Sequence, residues 1–267
     1  MYLKISVFQI DLDALILLVW AILNLQSSQI LNQKFNLMNH SSKFLMLKDI
    51  NILKTLSEAQ INELAKRCTM EKVHKKNKIY CSGQTIDYVY LVNKGSIKLG
   101  MVAECDKILI KDIVYDHELF GENIFAKNVV RKDFSEAMSD TIIFKIPTAL
   151  FKELVETNSE FANAVMTVII ERIRNLEQRM QNFVFMKAKA RIVDFIRKTG
   201  NRKGIKIGVD EILINHGMSH KDIAYLTDTS RQTVARVLGE LKKDNLIHFS
   251  PRKPSKILIR HSFQLAL

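Results

Sequence analysis

The pattern of apolar and polar residues predicts an antiparallel β-domain in the first half of the chain. Between residues 78 and 122, short runs rich in Ile, Val and Tyr alternate with turn signals that include Gly83, Gly95 and a position near Gly100. Short strands at this interval are typical of a β-sandwich or jelly roll. Residues 140–147 add a strand that a proline stops.

The sequence patterns before and after this domain predict helices. Before it, Ser57 and Gln60 predict a capping box at the start of a short helix. After it, apolar residues recur at spacings of four and three, which predicts a heptad seam through which a long helix pairs with its twin. The alternative is a helix that packs on its own domain. The seam comprises Ala162, Met166, Ile169, Ile173, Leu176, Met180 and Phe183. A further helix follows and is expected to end at Gly200.

The segment "GMSHKDIAYLTDTSRQTVARVLGELKKDNLI" predicts a helix-turn-helix. Its first helix begins at Ser219, with Asp222 three residues on, and its second is expected to use Thr229 as the N-cap, with Gln232 three residues on. Beyond it, "LIHF" and "KILIR" flank "SPRKPS", which predicts a β-hairpin with a basic tip, called a wing.

A helical wheel divides the second helix into two faces. Val234, Val237, Leu238 and Leu241 form a stripe that should be buried. Gln232, Ala235, Arg236, Gly239 and Lys243 form the opposite face, with Arg231 at its edge. Small residues let a helix approach a surface closely, and Arg and Gln match the edges of bases in the major groove. A solvated charged face is the alternative. The capped partner helix and the basic wing favour DNA reading, with base contacts from Arg231, Gln232 and Arg236.

Charge supports this interpretation. The net charge is +12, and residues 187–267 hold 17 Lys and Arg against 7 Asp and Glu. The basic character therefore belongs to the last third of the chain, which favours a polyanionic partner. The chain has three cysteines, Cys68, Cys81 and Cys105, and no CxxC spacing. An odd number of unpaired cysteines fits a reducing cytoplasm. The cysteines of one chain do not predict a zinc or iron–sulfur site. Sequence motifs of nucleotide- or metal-dependent enzymes are absent.

Residues 1–37 carry the apolar run "DALILLVWAILNL", which is too short for a membrane span of about 20 residues. Three interpretations stay open. The run belongs to a dispensable leader, with translation starting at Met38 or Met46; it forms an amphipathic packing helix; or it is a signal or membrane segment.

These features together resemble the Crp–Fnr superfamily of bacterial transcription regulators over residues 45–262. "TSRQTVARVLGELKKDNLI" is similar to the family's recognition helix, and "FVFMKAKARIVDFI" to its hinge. "LFGE" followed by "FSEAMSD" resembles its ligand-pocket segment. The resemblance implies an α+β fold: an antiparallel β-roll sensor (38–155), a dimerisation helix (156–186) and a winged helix-turn-helix (187–267). It also implies a cytoplasmic, non-enzymatic homodimer that partners double-stranded DNA, RNA polymerase and an unknown small-molecule effector.

The resemblance also suggests which residues meet the ligands. Phosphate contacts are expected from Ser219, Thr229, Ser230, Thr233, Lys243, Arg252, Lys253 and Lys256. The effector pocket is expected to include Gly121, Glu122, Phe134, Ser135, Leu176 and Glu177. In cAMP-binding members an Arg-Ser pair holds the cyclic phosphate and a Thr-Ser pair meets adenine. Phe134-Ser135 and Leu176-Glu177 stand at those places, so cAMP is not expected.

Haem stays an alternative effector. His40, His74, Cys81, Cys105 and His117 could each supply an axial ligand, but none is singled out, and the four cysteines of oxygen-sensing members are missing. We therefore predict no resident cofactor. The main hypothesis is a sequence-specific regulator on a pseudo-palindromic operator. A β-roll protein whose C-terminal domain binds another protein is the alternative, and an enzyme is disfavoured.

Overall fold

The computed structural model describes residues 40–102, 108–126, 130–207, 211–214, 217–249 and 256–260. The leader of residues 1–37 lies outside the described residues, and so do Cys105, Arg252 and Lys253.

Within the described residues, two helices precede the β-domain. Helix α1 (His40–Lys48) leads through a 3₁₀ turn (Asn51–Thr55) into α2 (Glu58–Arg67). The predicted capping box of α2 is confirmed, because the Ser57 hydroxyl accepts from the Gln60 amide at 3.3 Å and the Gln60 side chain accepts from the Ser57 amide at 3.0 Å. These reciprocal bonds satisfy amides that the first helical turn leaves without partners.

Among the residues that the structure describes, eight strands form two antiparallel sheets that face each other. The strands are β1 Thr69–Val73, β2 Lys78–Tyr80, β3 Tyr88–Lys94, β4 Ile97–Val102, β5 Ile108–Val114, β6 Leu119–Phe120, β7 Phe134–Ala137 and β8 Thr141–Pro147. The orders of the two sheets are β1-β8-β3-β6 and β2-β7-β4-β5. Apolar side chains from both sheets share one core, which includes Tyr80, Tyr90, Ile97, Phe120 and Ile143. The expected antiparallel β-roll is confirmed.

Glycines serve the roll in two different ways. Gly83 and Gly95 have φ of +90° and +117°, so they are turn residues as predicted. The predicted break near Gly100 is wrong, because Gly100 lies inside β4, next to a shift in register. A Cβ there would stand 2.6 Å from Cζ of Phe134. Gly100 therefore allows the close approach of an aromatic ring rather than a turn.

Three helices connect the roll to the C-terminal part: α3 (Thr148–Thr157), α4 (Ser159–Phe185) and α5 (Ala188–Lys203). The predicted helix end at Gly200 is wrong, since α5 continues to Lys203. A Cβ on Gly200 would stand 3.0 Å from Cδ1 of Ile259. The glycine brings the helix close to a strand, and this packing stabilises the helix past it.

The C-terminal part is a winged helix-turn-helix. It contains α6 (His220–Leu226) and α7 (Arg231–Lys243), and the sheet order is β11-β12-β10-β9. Its strands are β9 Ile205–Lys206, β10 Glu211–Ile214, β11 Ile247–Phe249 and β12 Ile257–Arg260. The antiparallel pairing of β11 with β12 confirms the predicted hairpin. Across the described ranges, none of the helices combines the length and apolarity that a membrane span requires.

Candidate DNA interface and sensor pocket

The first helix of the helix-turn-helix begins as the sequence predicts. The Ser219 hydroxyl accepts from the Asp222 amide at 3.2 Å, and the Asp222 carboxylate accepts from the Ser219 amide at 2.9 Å. This capping box fixes the start of α6. The Ser219 hydroxyl also donates to Asp222 at 2.6 Å, so it is engaged within its own turn.

The predicted N-cap of α7 is wrong by one residue. Ser230 is the N-cap, and its hydroxyl accepts from the Thr233 amide at 3.0 Å. Thr229 belongs to the turn instead, because its amide donates to the carbonyl of Ala224 at 2.9 Å. Both residues have a capping side chain, so the choice depends on the turn geometry, which the sequence alone does not reveal.

The two faces of α7 are confirmed. Val234, Val237, Leu238 and Leu241 are buried in the C-terminal core. The opposite face is exposed along its length and contains Arg231, Gln232, Ala235, Arg236, Gly239 and Lys243. Nothing lies within 4 Å of the position that a Cβ on Gly239 would take. The middle of this face is therefore an open surface made of small residues.

Arg236 is not free on this face. Its guanidinium lies 2.5 Å from a carboxylate oxygen of Glu240, one turn later, and Lys189 of α5 lies 3.0 Å from the other oxygen. The hydrogen bond from Lys189 lowers the pKa of Glu240. Because the Arg236 side chain is 62% exposed, this pair contributes little to stability and exchanges easily for another anion.

Six of the eight residues expected to contact phosphate lie within the described residues, and Arg252 and Lys253 do not. Ser230 and Thr233 share a hydroxyl contact at 2.8 Å, and the Thr229 hydroxyl lies 3.2 Å from that of Thr227. Lys243 is exposed at the last position of α7, and Lys256, directly before β12, is half-buried. Several of these hydroxyls therefore bond within the domain, so only their remaining lone pairs and protons are available to a phosphate.

An apolar stripe runs along α4. The side chains of Met166, Ile173, Leu176, Met180 and Phe183 are between 46% and 65% exposed. Ile169 of the predicted seam differs, because it packs against the core of the sensor half, and Ile170 is exposed beside the stripe. Five large apolar side chains on one helix face form a surface that burial against another chain would stabilise.

The Gly121-Glu122 segment lies at the inner surface of the roll. Gly121 has a φ of +81°, and a Cβ there would stand 3.0 Å from the ring of Tyr90. Glu122 forms an ion pair with Arg172 of α4, and Arg172 also lies 3.5 Å from a carboxylate oxygen of Asp112. This arrangement links the segment after β6 directly to the long helix.

Arg131 is the residue of this site that the sequence analysis missed. It is 2% exposed, and its guanidinium centre lies 3.8 Å from the ring centre of Tyr80 and 5.5 Å from that of Tyr90. One nitrogen, Nη2, donates to the carbonyl of Tyr88 at 2.6 Å. Another, Nη1, lies 3.3 Å from the position of a Cβ on Gly121. Arg131 follows Glu122 by nine positions, in a stretch where no hydrophobic period indicates burial.

Phe134 was expected to replace the phosphate-binding arginine, and the structure corrects the basis of that expectation. The Phe134 ring packs against Gly100, and Lys78 lies 5.6 Å from its centre. Arg131, three positions earlier, is the cation beside Gly121. The inner surface of the roll beside Gly121 therefore contains a buried cation. Ser135 is buried too, and its hydroxyl accepts from the Tyr80 amide at 3.2 Å. Leu176 and Glu177 are exposed on α4.

Several polar atoms around Arg131 are buried without a hydrogen-bond partner among the described residues. They are Nε and Nη1 of Arg131, the hydroxyl of Tyr80, Oε2 of Glu122 and Oδ1 of Asp133. Burial raises the pKa of Tyr80 well above its ordinary value. Unpaired buried polar atoms are costly, and they are common where a ligand or ordered water completes the site. This cluster contains both donors and acceptors, so it suits a small polar molecule.

Each candidate haem-ligand histidine has its own local surroundings. His40 contacts the carbonyl of Asn62 at 3.3 Å, His74 lies 3.6 Å from Asp140, and His117 occupies a turn with a φ of +66°. Within the described ranges, no three His, Cys, Asp or Glu side chains are grouped as a metal site requires. Cys68 and Cys81 are free thiols, and burial raises the pKa of Cys68 to about 11.

A β-roll joined through a long helix to a winged helix-turn-helix defines a class of sensor-coupled DNA-binding regulators. Comparison with known families agrees, since a cyclic nucleotide-binding domain matches residues 70–158 and a Crp-like helix-turn-helix domain matches residues 190–266. These matches together cover more than half of the chain. The chain belongs to the Crp–Fnr family of transcription regulators.

Individual relatives are distant. The global nitrogen regulator of Synechococcus elongatus is 26% identical over 180 residues, which are 67% of this chain and 81% of that protein. The cAMP-activated global transcriptional regulator CRP of Pasteurella multocida is 23% identical over 181 residues, which are 67% and 86% of the two chains. Among solved structures, FixK2 from Bradyrhizobium japonicum has a TM-score of 0.65 at 19% identity and covers 74% of this chain and 94% of its own.

Proposed function

We propose that the protein is a homodimer that binds a pseudo-palindromic operator through α7 and responds to an effector other than cAMP. The observation that carries this proposal is the exposed face of α7. Arg231, Gln232 and Arg236 surround Ala235 and Gly239 there, so polar groups that match base edges flank a surface that can approach the groove closely.

We infer the homodimer from the apolar stripe of α4. The α4 helices of the two copies would pair in parallel, with Leu176 of each near the middle of the contact. The apolar stripe would then be buried away from water. A twofold axis along this contact would place the two copies of α7 about one helical turn of DNA apart, roughly 34 Å. The operator would then repeat the symmetry of the protein.

The proposed division of labour follows the elements. Residues 38–155 form the sensor, residues 156–186 the dimerisation helix and residues 187–267 the DNA-binding domain. The bounds of α4, Ser159–Phe185, and the two family matches on either side of it support this division. RNA polymerase is the further partner that we propose, since a DNA-bound transcription regulator acts on the enzyme that transcribes.

The effector is proposed to be a small polar molecule held by Arg131, with Glu122 and Asp133 as acceptors. Two observations favour a ligand other than cAMP. The Tyr80 ring lies on the guanidinium of Arg131, so one face of the cation is already covered. On α4, Leu176 and Glu177 replace the hydroxyl residues that meet adenine in cAMP-binding members of the family. Calorimetry should detect no saturable binding of cAMP below about 1 mM, a weak-binding range.

Selection of bound sites from random DNA tests the proposed operator and the need for an effector together. The full chain is used with and without a cell extract that contains small molecules. We expect enriched sequences with two inverted half-sites about 10 base pairs apart. An Arg236→Ala variant serves as the control that should lose the enrichment. Recovery of unrelated sequences by the wild-type chain under both conditions would contradict sequence-specific reading.

A further inference from the structure

The turn between α6 and α7 is held by an arginine of the long helix α4. Arg179 donates from Nη2 and Nε to the two carboxylate oxygens of Asp228, at 2.7 and 3.0 Å. The same guanidinium donates to the carbonyl of Tyr225 at 2.6 Å and to that of Ile110, in β5, at 2.5 Å. One side chain therefore joins the long helix, the roll and the turn that precedes the recognition helix.

A second arginine holds the same turn from α5. Arg191 donates from Nε to the carbonyl of Thr227 and from Nη2 to the carbonyl of Asp228, both at 2.8 Å. Its remaining nitrogen donates to the carbonyl of Met186, between α4 and α5, at 2.7 Å. We refer to Arg179, Arg191 and Asp228 as the turn clamp. Bidentate arginine pairs are strong and directional, so the clamp fixes orientation as well as distance.

Asp228 has an unusual backbone for a residue with a side chain. Its φ is +51°, a left-handed conformation that glycine adopts without strain and that aspartate tolerates better than most residues. A glycine would satisfy the turn geometry alone. What aspartate adds at this position is the carboxylate that Arg179 binds. The side chains of both partners are mostly buried, so the pair is screened less than a surface pair.

The clamp crosses a gap between the two halves of the chain. A cleft of about 820 Å³ lies between β5, α4, α5 and the turn, and Arg179, Arg191 and Asp228 are among its lining residues. Other contacts also join the halves: Lys98 of β4 lies 3.5 Å from Asp222 of α6, Arg202 of α5 lies 2.8 Å from Glu118, and Ile113 and Met138 of the roll pack in the C-terminal core. The turn clamp differs from these contacts because it holds the turn directly before α7, so it bears most directly on the direction of that helix.

We propose that the turn clamp sets the distance between the two recognition helices, and so selects the half-site spacing of the operator. This inference rests on the proposed dimer and its pseudo-palindromic site. Since α4 is the helix through which the two copies would pair, a rigid link from α4 to the start of α7 fixes each recognition helix relative to the twofold axis. Arg179 and Asp228 are positioning residues, which touch no base.

The exposure of α7 favours positioning over inhibition. The clamp contacts the turn, whereas Gln232, Ala235 and Gly239 remain exposed in the same arrangement. DNA can therefore reach the outer face of α7 while the clamp is closed. An inhibitory contact would cover this face or compete for its side chains, and neither Arg179 nor Arg191 contacts it among the bonds described above.

The test measures affinity of the full chain for a series of operators. They contain the two selected half-sites at the selected spacing and at spacings one and two base pairs shorter and longer, and a single half-site serves as the reference. Asp228→Gly removes the carboxylate and keeps the left-handed turn. We expect half-site affinity to stay within about twofold, while the preference for the selected spacing falls by about fivefold or more.

Two matched variants accompany it. Asn245→Gly makes the same kind of backbone change, from a left-handed residue with φ of +57° to glycine, at the far end of α7, and should leave the spacing profile unchanged. Asp228→Asn keeps the turn and one acceptor for Arg179, and should recover part of the preference. Arg179→Lys, which changes the partner of Asp228 on α4, should relax the spacing preference like Asp228→Gly, and the effects of the two changes should not add in the double variant.

Each other outcome has a defined meaning. Wild-type spacing profiles for both Asp228→Gly and Arg179→Lys would overturn the inference, and so would tighter binding of these variants at every spacing, which would identify the clamp as inhibitory. If Asp228→Gly loses half-site binding through misfolding, Arg179→Lys decides the question alone. A wild-type chain that binds half-sites without any spacing preference would instead contradict the proposed dimer on a pseudo-palindrome.

Discussion

Arginine serves opposite purposes in the sensor half and in the recognition helix. Arg131 is 2% exposed and lies against two tyrosine rings, whereas the Arg236 side chain is 62% exposed and pairs with a carboxylate of its own helix. In the roll the cation is already desolvated and oriented, so the proposed ligand would meet a fixed partner. On α7 the cation keeps its water and exchanges partners, which suits a surface that samples many DNA sequences.

We expect the largest effect from a change in α4, the helix between the roll and the DNA-binding domain. Leu176→Asp would bury an unpaired charge at the middle of the proposed α4 pair, at a cost of several kcal/mol per dimer. We expect a monomer by analytical ultracentrifugation and loss of operator binding. Gln178→Asp puts the same charge on the other side of α4 and should leave the dimer intact. A Leu176→Asp dimer would contradict the seam.

Arg131→Met tests the role of the buried arginine in the roll. The change removes the contacts of the guanidinium with Tyr80 and Tyr90 and should lower the free energy of unfolding by about 2 kcal/mol, measured by urea denaturation. Tyr80→Phe is the control. It keeps the ring and deletes a hydroxyl that has no partner in the described part of the chain, so it should be neutral or slightly stabilising. An equal loss from Tyr80→Phe would show that the Tyr80 hydroxyl contributes as much as the cation, and unchanged stability of Arg131→Met would contradict the stabilising role of the cation.

Arg236→Ala tests the role of the exposed arginine on α7. We expect a loss of about 1–3 kcal/mol on the operator and little change on random DNA, measured by competition binding. Lys243→Ala should instead weaken both alike and reduce the salt slope by about one, because a phosphate contact carries no sequence information. Should Arg236→Ala lower affinity for both DNAs equally, α7 does not read bases through this residue.

The smallest effect concerns a single base pair. Gln232 both donates and accepts, so it tolerates adenine or cytosine beneath it, whereas a glutamate only accepts and favours the cytosine amino group. Gln232→Glu should therefore narrow the preference at one position of each half-site toward cytosine, without changing the others. Competition across all four bases at every position measures this, and an unchanged preference would place Gln232 away from the base edges.

The sequence predicted α7 well because its function depends on a local period. Val234 and Arg236 fall on opposite faces of any helix with 3.6 residues per turn, whatever else the chain does. The sequence also predicted the β-roll fold, but it did not predict which side chains meet in the interior of the roll. Arg131, Tyr80 and Glu122 come from separate segments, and only the pairing of the sheets brings them together. The errors at Thr229 and Gly200 have the same origin, since tertiary contacts chose between two locally acceptable ends.

Glu240 has a consequence for how DNA binding responds to salt. It lies between Arg236 and Lys189 and acts as an internal counterion for both. DNA releases its condensed cations to the extent that positive charge on the protein neutralises phosphate. Glu240 stays tethered beside Arg236 and Lys189 and reduces their combined net charge, so fewer cations would leave the DNA at this site. The salt slope of the intact protein therefore undercounts the cations that meet DNA.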